Sequence, residues 1–425
     1  MSAREDWRGR WSWALYDWAN SPFTTLVITF VFSTYFQQAV VKEAVEGQAL
    51  WGYAVAASGL VIAILAPVLG AIADARGRRK PWIFAFTWLC VTGSALLWFA
   101  EPSPAWIGFS LGCVVFASIG FEFGIVFNNA MLPDIVPEER LGRLSGWAWG
   151  LGYAGGLAAL LLALAVFIWP ETPPFGLDKD AAEHVRITGP LVALWLAVFS
   201  VPLFLFTPDR PARAAKIASA VRIGLGDLKR TLSALPANRP VAVFLVAHMI
   251  YADGLVTLFA FGGVYAAGAF GLSLPEVILF GIVLNVAAGA GAALFAWLDD
   301  WLSSKRIIVL ALIGLIGASL VAIAATTIAW LWVAGIAIGI FVGPAQAASR
   351  SLMARLTEPD NRAAYFGLYA LSGKATAFLG PALVAGVTAA SGSQRAGIAT
   401  IIAFFAIGLM LILRVPEPKR HNIAG

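Results

Sequence analysis

The sequence predicts an all-α membrane protein, with twelve transmembrane helices in two pseudo-symmetric six-helix bundles. Three observations carry that reading. Sixty per cent of the 425 residues are apolar and only 12% are charged, with a mean hydropathy of +0.81; soluble domains carry about 25% charged residues. Apolar runs recur at the length of about 20 residues that a helix needs to cross the hydrocarbon layer. The charges lie between these runs and favour one side.

In chain order the runs fall at 11–40, 51–73, 81–100, 105–128, 145–169 and 189–206, then at 241–265, 274–297, 306–327, 329–349, 363–389 and 396–414. Tryptophan prefers the membrane interface. Trp51, Trp98, Trp106, Trp169, Trp330 and Trp332 mark one set of ends; Trp7, Trp11, Trp82, Trp297 and Trp301 mark the other. This divides the chain into a bundle at 1–206, a linker at 207–240 and a second bundle at 241–425.

Of the 29 Lys and Arg residues, 24 fall in the N-terminus, the loops near 74–80, 129–144, 207–240, 298–306 and 350–362, and the tail from Arg414. Lys42, Lys179, Arg186 and Arg395 lie opposite, and Lys374 lies inside a span. Basic loops stay on the inner side, so both termini are expected in the cytoplasm, in the inner (plasma) membrane of a bacterial cell. Topology thus accounts for the net charge of +5, and no nucleic-acid partner is expected. Cys90 and Cys113 fall in apolar runs and read as small packing residues, with no disulfide framework and no metal site. No small-residue cleavage site follows the first apolar run, so no cleaved signal peptide is expected. In the linker, Ile217, Val221, Leu225, Leu228 and Leu232 share one helical face with basic residues opposite, a pattern for an amphipathic helix on the inner membrane surface.

The halves repeat. Asp74 precedes Lys80 by the same interval as Asp299 precedes Lys305. Met131, Pro137 and Arg140 recur as Met353, Pro359 and Arg362. Duplicated units are a recurring design of secondary transporters.

GAIADARGRRK resembles the loop 2–3 signature of the major facilitator superfamily through Gly70, Asp74, Gly77, Arg78, Arg79 and Lys80, with Ile72 where leucine is usual. WALYDWANSPF (13–23), SRSLMARL, FGLYALSGK and FLGP (349–381) look like a narrower branch, the autophagy-related vacuolar amino-acid effluxer family with its bacterial "unknown major facilitator" members. The resemblance runs from Trp13 to about Pro381. It implies alternating access, amino acids or similar zwitterions as substrate, and a basic loop that latches the outward-facing state. The second copy keeps Asp299 and Lys305 but lacks the glycines and one arginine, so its latch is expected to be weaker.

Polar residues inside spans are functional candidates because the bilayer penalises them unless they are paired or face water. Asp17 sits about six residues into the first predicted span, about 9 Å at helical rise. Pro22 leaves the carbonyl near position 18 without its helical donor, and Asn20 can satisfy a neighbour. A bent helix lining a cavity fits, as does an aspartate capping a late helix start. His248 and Tyr251 share a face of span 7, with Asp253 near the midplane. His248 reads either as a proton relay or as a plain hydrogen-bonded histidine, and Glu122 either as a coupling group or as a paired carboxylate. Lys374 reads either as half of an internal salt bridge or as the partner of a substrate carboxylate, with Asp253 or Asp17 taking the ammonium. The glycines at 146, 150, 152, 155 and 156 read as packing, and Gly380-Pro381 as a bend. No nucleotide-binding loop or zinc-ligand spacing is present, so neither an enzyme nor an ATP-driven pump is expected. No cofactor is expected, only a proton as coupling ion. The expected protein is a monomeric secondary transporter, embedded in the lipid bilayer, that moves a small solute by alternating access in the efflux direction; a multidrug or toxic-metabolite exporter and a non-transporting sensor or lipid-handling scaffold are the alternatives.

Overall fold

The computed structural model describes residues 7–136, 141–211, 235–357 and 375–416, with 222, 226, 229, 233, 368, 369 and 371–373. The described chain is helical. The first-half helices are α1 Trp7–Val41, α2 Ala44–Arg76, α3 Lys80–Leu96, α4 Ile107–Ile135, α5 Leu141–Leu162 and α6 Thr188–Phe206. The second-half helices are α7 Arg239–Phe270, α8 Leu274–Leu302, α9 Ser304–Ala324, α10 Ile328–Leu356, α11 Leu379–Ser391 and α12 Gln394–Leu413. Among the described residues, eleven helices are long and apolar enough to cross a membrane; α11 is shorter, and the first part of its predicted span, including Lys374, lies outside the described residues. So does the face of the linker helix at Ile217, Val221, Leu225, Leu228 and Leu232.

Helix starts and stops follow local chemistry. Pro81 and Pro240 stand in the first turns of α3 and α7, where a missing N–H costs nothing. Gly271 ends α7 in the left-handed conformation, at φ 68°. Ser393 caps α12 by accepting the Ala396 N–H.

Helix α1 contains two wide, π-helical segments, Phe23–Phe30 and Phe36–Val41. The first begins directly after Pro22. Proline removes the donor that would serve the Trp18 carbonyl, and the Trp195 indole N–H supplies it from α6 at 3.2 Å. The expected bend is therefore a change of helical width, with the orphaned backbone group satisfied by a side chain. The glycines of α5 let α1 approach. A Cβ on Gly155 would lie 2.6 Å from the Trp18 oxygen, and one on Gly156 would lie 2.8 Å from Thr25 Cγ2.

The described cross-half hydrogen bonds gather at the end of the bundle opposite the basic loops, called here the far end. Gln38 Nε2 donates to the Leu272 carbonyl at 2.9 Å. Gln48 Nε2 donates to Thr388 Oγ1 at 2.7 Å and to the Gln394 carbonyl at 3.3 Å. Gln394 Nε2 donates to the Ala44 carbonyl at 3.0 Å. Gln48 and Thr388 are both 0% exposed. Beside them, Gly52 lies against Ala385 and Pro381. Trp51, expected at an interface, is wholly buried and packs on Phe36, because α2 begins seven residues before it. Cys90 and Cys113 are free and buried, as packing residues should be.

At the basic end, the repeat seen in the sequence has a structural counterpart. Lys80, in the first turn of α3, donates to the Phe204 carbonyl near the end of α6 at 3.1 Å. Lys305, in the first turn of α9, donates to the Leu413 carbonyl at the end of α12, also at 3.1 Å. Cations belong at helix C-termini. Gly77 turns the first loop at φ 80°. Arg78 is exposed, whereas Arg79 is buried and pairs with Asp134 at 3.1 Å. Asp134 also pairs with Arg210 at 2.5 Å. The N–H groups of Arg79 and Lys80 donate to Asp209. Asp209, three residues past the end of α6, thus holds the N-terminus of α3. Gly70 has open space around it. The side chains of Asp74 and Asp299, and all of Arg140 and Arg362, lie outside the described residues.

Two outcomes are expected. Gly155→Val forces a side chain into the Trp18 carbonyl and lowers the folded, monodisperse fraction in fluorescence-detected gel filtration by at least half, whereas Gly150→Ala, with nothing within 4 Å, leaves it unchanged. Asp134→Asn removes the charge of the carboxylate that pairs with buried Arg79, and the thermal unfolding midpoint of the purified protein falls by an amount corresponding to about 2 kcal/mol.

Candidate functional site

The polar residues inside the bundle collect on α1, α5, α7 and α10 and on the residues preceding α11. In α1 as described, Asp17 stands ten residues from Trp7, about 15 Å along the helix at 1.5 Å per residue. Asn20 is buried one turn on. Ser21 Oγ donates to the Asp17 carbonyl at 2.7 Å.

The cation that acts on Asp17 is Arg350. The sequence reading placed Arg350 in a basic loop and made Lys374 the sole basic residue within the spans. Instead α10 continues to Leu356, because Leu352, Met353 and Leu356 keep its apolar face going past the polar triplet Ser349-Arg350-Ser351. Arg350 therefore lies inside the helix, about 9 Å from its end. Its guanidinium carbon sits 4.9 Å from the centre of the Trp149 ring of α5, a cation–π contact that crosses between the halves. The Tyr369 hydroxyl lies within hydrogen-bonding reach of Arg350 and Ser349. Tyr153, also on α5, lies within electrostatic reach of Arg350. The sequence reading missed Arg350, Trp149, Tyr153, Tyr369 and Ser349; the apolar residues on both sides of the triplet were the available signal.

His248 and Tyr251 share a face of α7 as expected, with ring centres 5.4 Å apart. His248 stacks on Tyr369 at 4.1 Å, and its Nδ1 lies 2.9 Å from Ser372 Oγ. Tyr251 OH lies 2.6 Å from Ser349 Oγ. The His248 ring thus has a hydroxyl and aromatic rings around it and Arg350 within electrostatic reach. Asp253 turns elsewhere. It is 1% exposed, and both its oxygens accept the Gly380 N–H at 3.2 Å. It therefore caps the N-terminus of α11, where the helix dipole favours an anion, and it fixes the restart at Gly380-Pro381. Glu122 is half-buried midway along α4. Near the end of that helix, the Asn128 carbonyl accepts the Trp13 indole N–H at 2.7 Å, and Asn129 is exposed.

Toward the far end, a narrow cleft of about 80 Å³ is lined by Phe30, Tyr153, Phe261, Tyr265, Phe280 and Asn285, among others. Its walls are mainly apolar and aromatic. Tyr153 belongs to both features, linking the cleft to the Arg350 cluster.

Comparison with known proteins agrees with this architecture. Residues 40–424 match the family model described as vacuole effluxer Atg22 like. An uncharacterized MFS-type transporter of Bacillus subtilis, YxiO, is 28% identical over 419 residues, covering 97% of this chain and 96% of its own. Autophagy-related protein 22-1 of Penicillium rubens is 23% identical over 314 residues, covering 68% of this chain; the match spans about half the length of the fungal relative, 52%. Among solved structures, a D-xylose-proton symporter superposes with a TM-score of 0.72 at 14% identity, covering 96% of this chain and 98% of its own. An inward-facing, unoccupied bacterial homologue of the human lysosomal transporter Spinster gives 0.68 at 14% identity, with 95% of both chains covered. The chain is a multi-pass membrane protein of the major facilitator fold, and it belongs to the Atg22-like vacuole effluxer family.

Proposed function

We propose that the protein is a secondary transporter that moves amino acids or similar zwitterionic metabolites out of the cytoplasm by alternating access, with proton coupling. In this reading the segments 1–206 and 241–425 rock against each other, the linker at 207–240 lies on the inner membrane surface, and both termini and the basic end face the cytoplasm of a monomer. The observation that carries it is the asymmetry of the cross-half contacts. Buried glutamine bonds join the halves at the far end, and a polar cluster containing both charge signs sits toward the basic end. A neutral lock of a few hydrogen bonds, each contributing about 1 kcal/mol net, is weak enough to exchange during turnover. A site with one carboxylate and one guanidinium suits a solute with both charges. The family membership supports the amino-acid class and the direction. Asp17 is the carboxylate best placed to exchange a proton against the substrate, because Asp253 is committed to α11.

The aromatic cleft beside Phe261 and Phe280 favours a second reading, export of apolar toxic compounds. Counterflow in proteoliposomes separates the two. Vesicles loaded with unlabelled amino acids should accumulate a few labelled neutral amino acids, at least fivefold over protein-free vesicles. Asp17→Asn should abolish any stimulation by a pH gradient. Absence of exchange for every amino acid, with efflux of an apolar dye instead, would establish the exporter and remove the zwitterion reading.

A further inference from the structure

We propose that Arg350 is the residue that binds the substrate carboxylate, with the Trp149 ring as its platform and Asp17 as the anion it releases when substrate arrives. The inference deepens the transporter reading and rests on it. Four features place the role on Arg350. A guanidinium inside a transmembrane helix is costly and marks a functional position. Its planar fork matches a carboxylate with two parallel hydrogen bonds, which a lysine cannot reproduce. It sits 4.9 Å from the centre of the Trp149 ring, with the Tyr369 hydroxyl within hydrogen-bonding reach. A carboxylate within electrostatic reach of it, Asp17, stands on α1, in the other half of the chain.

That last point supplies the mechanism. A pair formed within one half would move as a unit and respond to nothing. A pair formed between halves is altered whenever the halves move, and a zwitterion can insert into it. The incoming carboxylate takes the Arg350 fork, and the Asp17 carboxylate so released takes the ammonium. The net charge of the site is unchanged, and the ligand touches α1, α5 and α10 together. The recognised class is a compound with a carboxylate and an amine a few atoms apart. A neutral apolar solute gains nothing from the exchange.

The test uses the full chain in proteoliposomes and compares three probes: alanine, alaninamide, which lacks the carboxylate charge, and N-acetylalanine, which lacks the amine. In the wild type, alanine should inhibit exchange of the transported amino acid at least tenfold more strongly than either derivative. Arg350→Lys should raise KM at least tenfold with the maximal rate within about threefold, and Arg350→Gln should abolish the preference for alanine over alaninamide. Equal inhibition by alanine and alaninamide in the wild type would overturn the assignment even if both variants failed to fold. So would a KM within twofold of wild type in both variants. If the wild type exchanged no amino acid, the transport reading would itself fail. The carboxylate site would then be judged by thermal unfolding: stabilisation by alanine but not alaninamide, lost in Arg350→Gln, would sustain it, and identical midpoints would overturn it.

Discussion

A polar group inside a hydrocarbon layer must find its partner within the protein. That constraint explains the arrangement of this bundle better than any single contact does. Pro22 leaves the Trp18 carbonyl without its helical donor, and the Trp195 indole supplies one. The start of α11 lies inside the bundle, and the Asp253 carboxylate takes the Gly380 N–H. Lys80 and Lys305 each reach the last carbonyls of a neighbouring helix, in equivalent places of the two halves. These groups are satisfied within one half of the chain, and each makes that half more rigid.

The same constraint, applied across the halves, gives a joint that can open. At the far end the partners are neutral amides, a hydroxyl and backbone carbonyls. Water can replace each of them when that end is exposed, so separation costs little. Charged pairs in the same place would hold harder and would leave two uncompensated charges when parted. Toward the basic end the cross-half contact is of another kind, a guanidinium on an indole, within electrostatic reach of a carboxylate. A zwitterionic solute can replace this interaction in kind. The asymmetry between the two ends, one opened by water and the other by a charged solute, is the physical content of the transport proposal.

Much of this was legible in the sequence. The helices follow from apolar runs, and the two-unit repeat from Asp74 with Lys80 against Asp299 with Lys305. The orphaned carbonyl near position 18 followed from Pro22 alone, and the packing role of Gly155 from its neighbours in α5. What was not legible depends on tertiary placement. Asp134 and Asp209 hold the basic loop from distant positions in the chain, and spacing gives no sign of it. Asp253 looked like a cavity residue until α11 was found to begin against it. Arg350 was hidden for another reason: a polar triplet ended the apolar run at 349, whereas the helix persists to Leu356 because one face stays apolar. The hydropathy average registers the charge and overlooks the face.

The most direct test of the account is a reversible cross-link at the far end. With Gln48→Cys and Thr388→Cys in one chain, the cysteines replace side chains that hydrogen-bond at 2.7 Å across the halves, and oxidation should join them. If opening of that end is required for turnover, amino-acid exchange in proteoliposomes should fall to the protein-free level on oxidation and return on reduction, while either single variant is unaffected by oxidant. Undiminished exchange by the fully cross-linked protein would show that the halves do not part there, and would contradict the account at its centre.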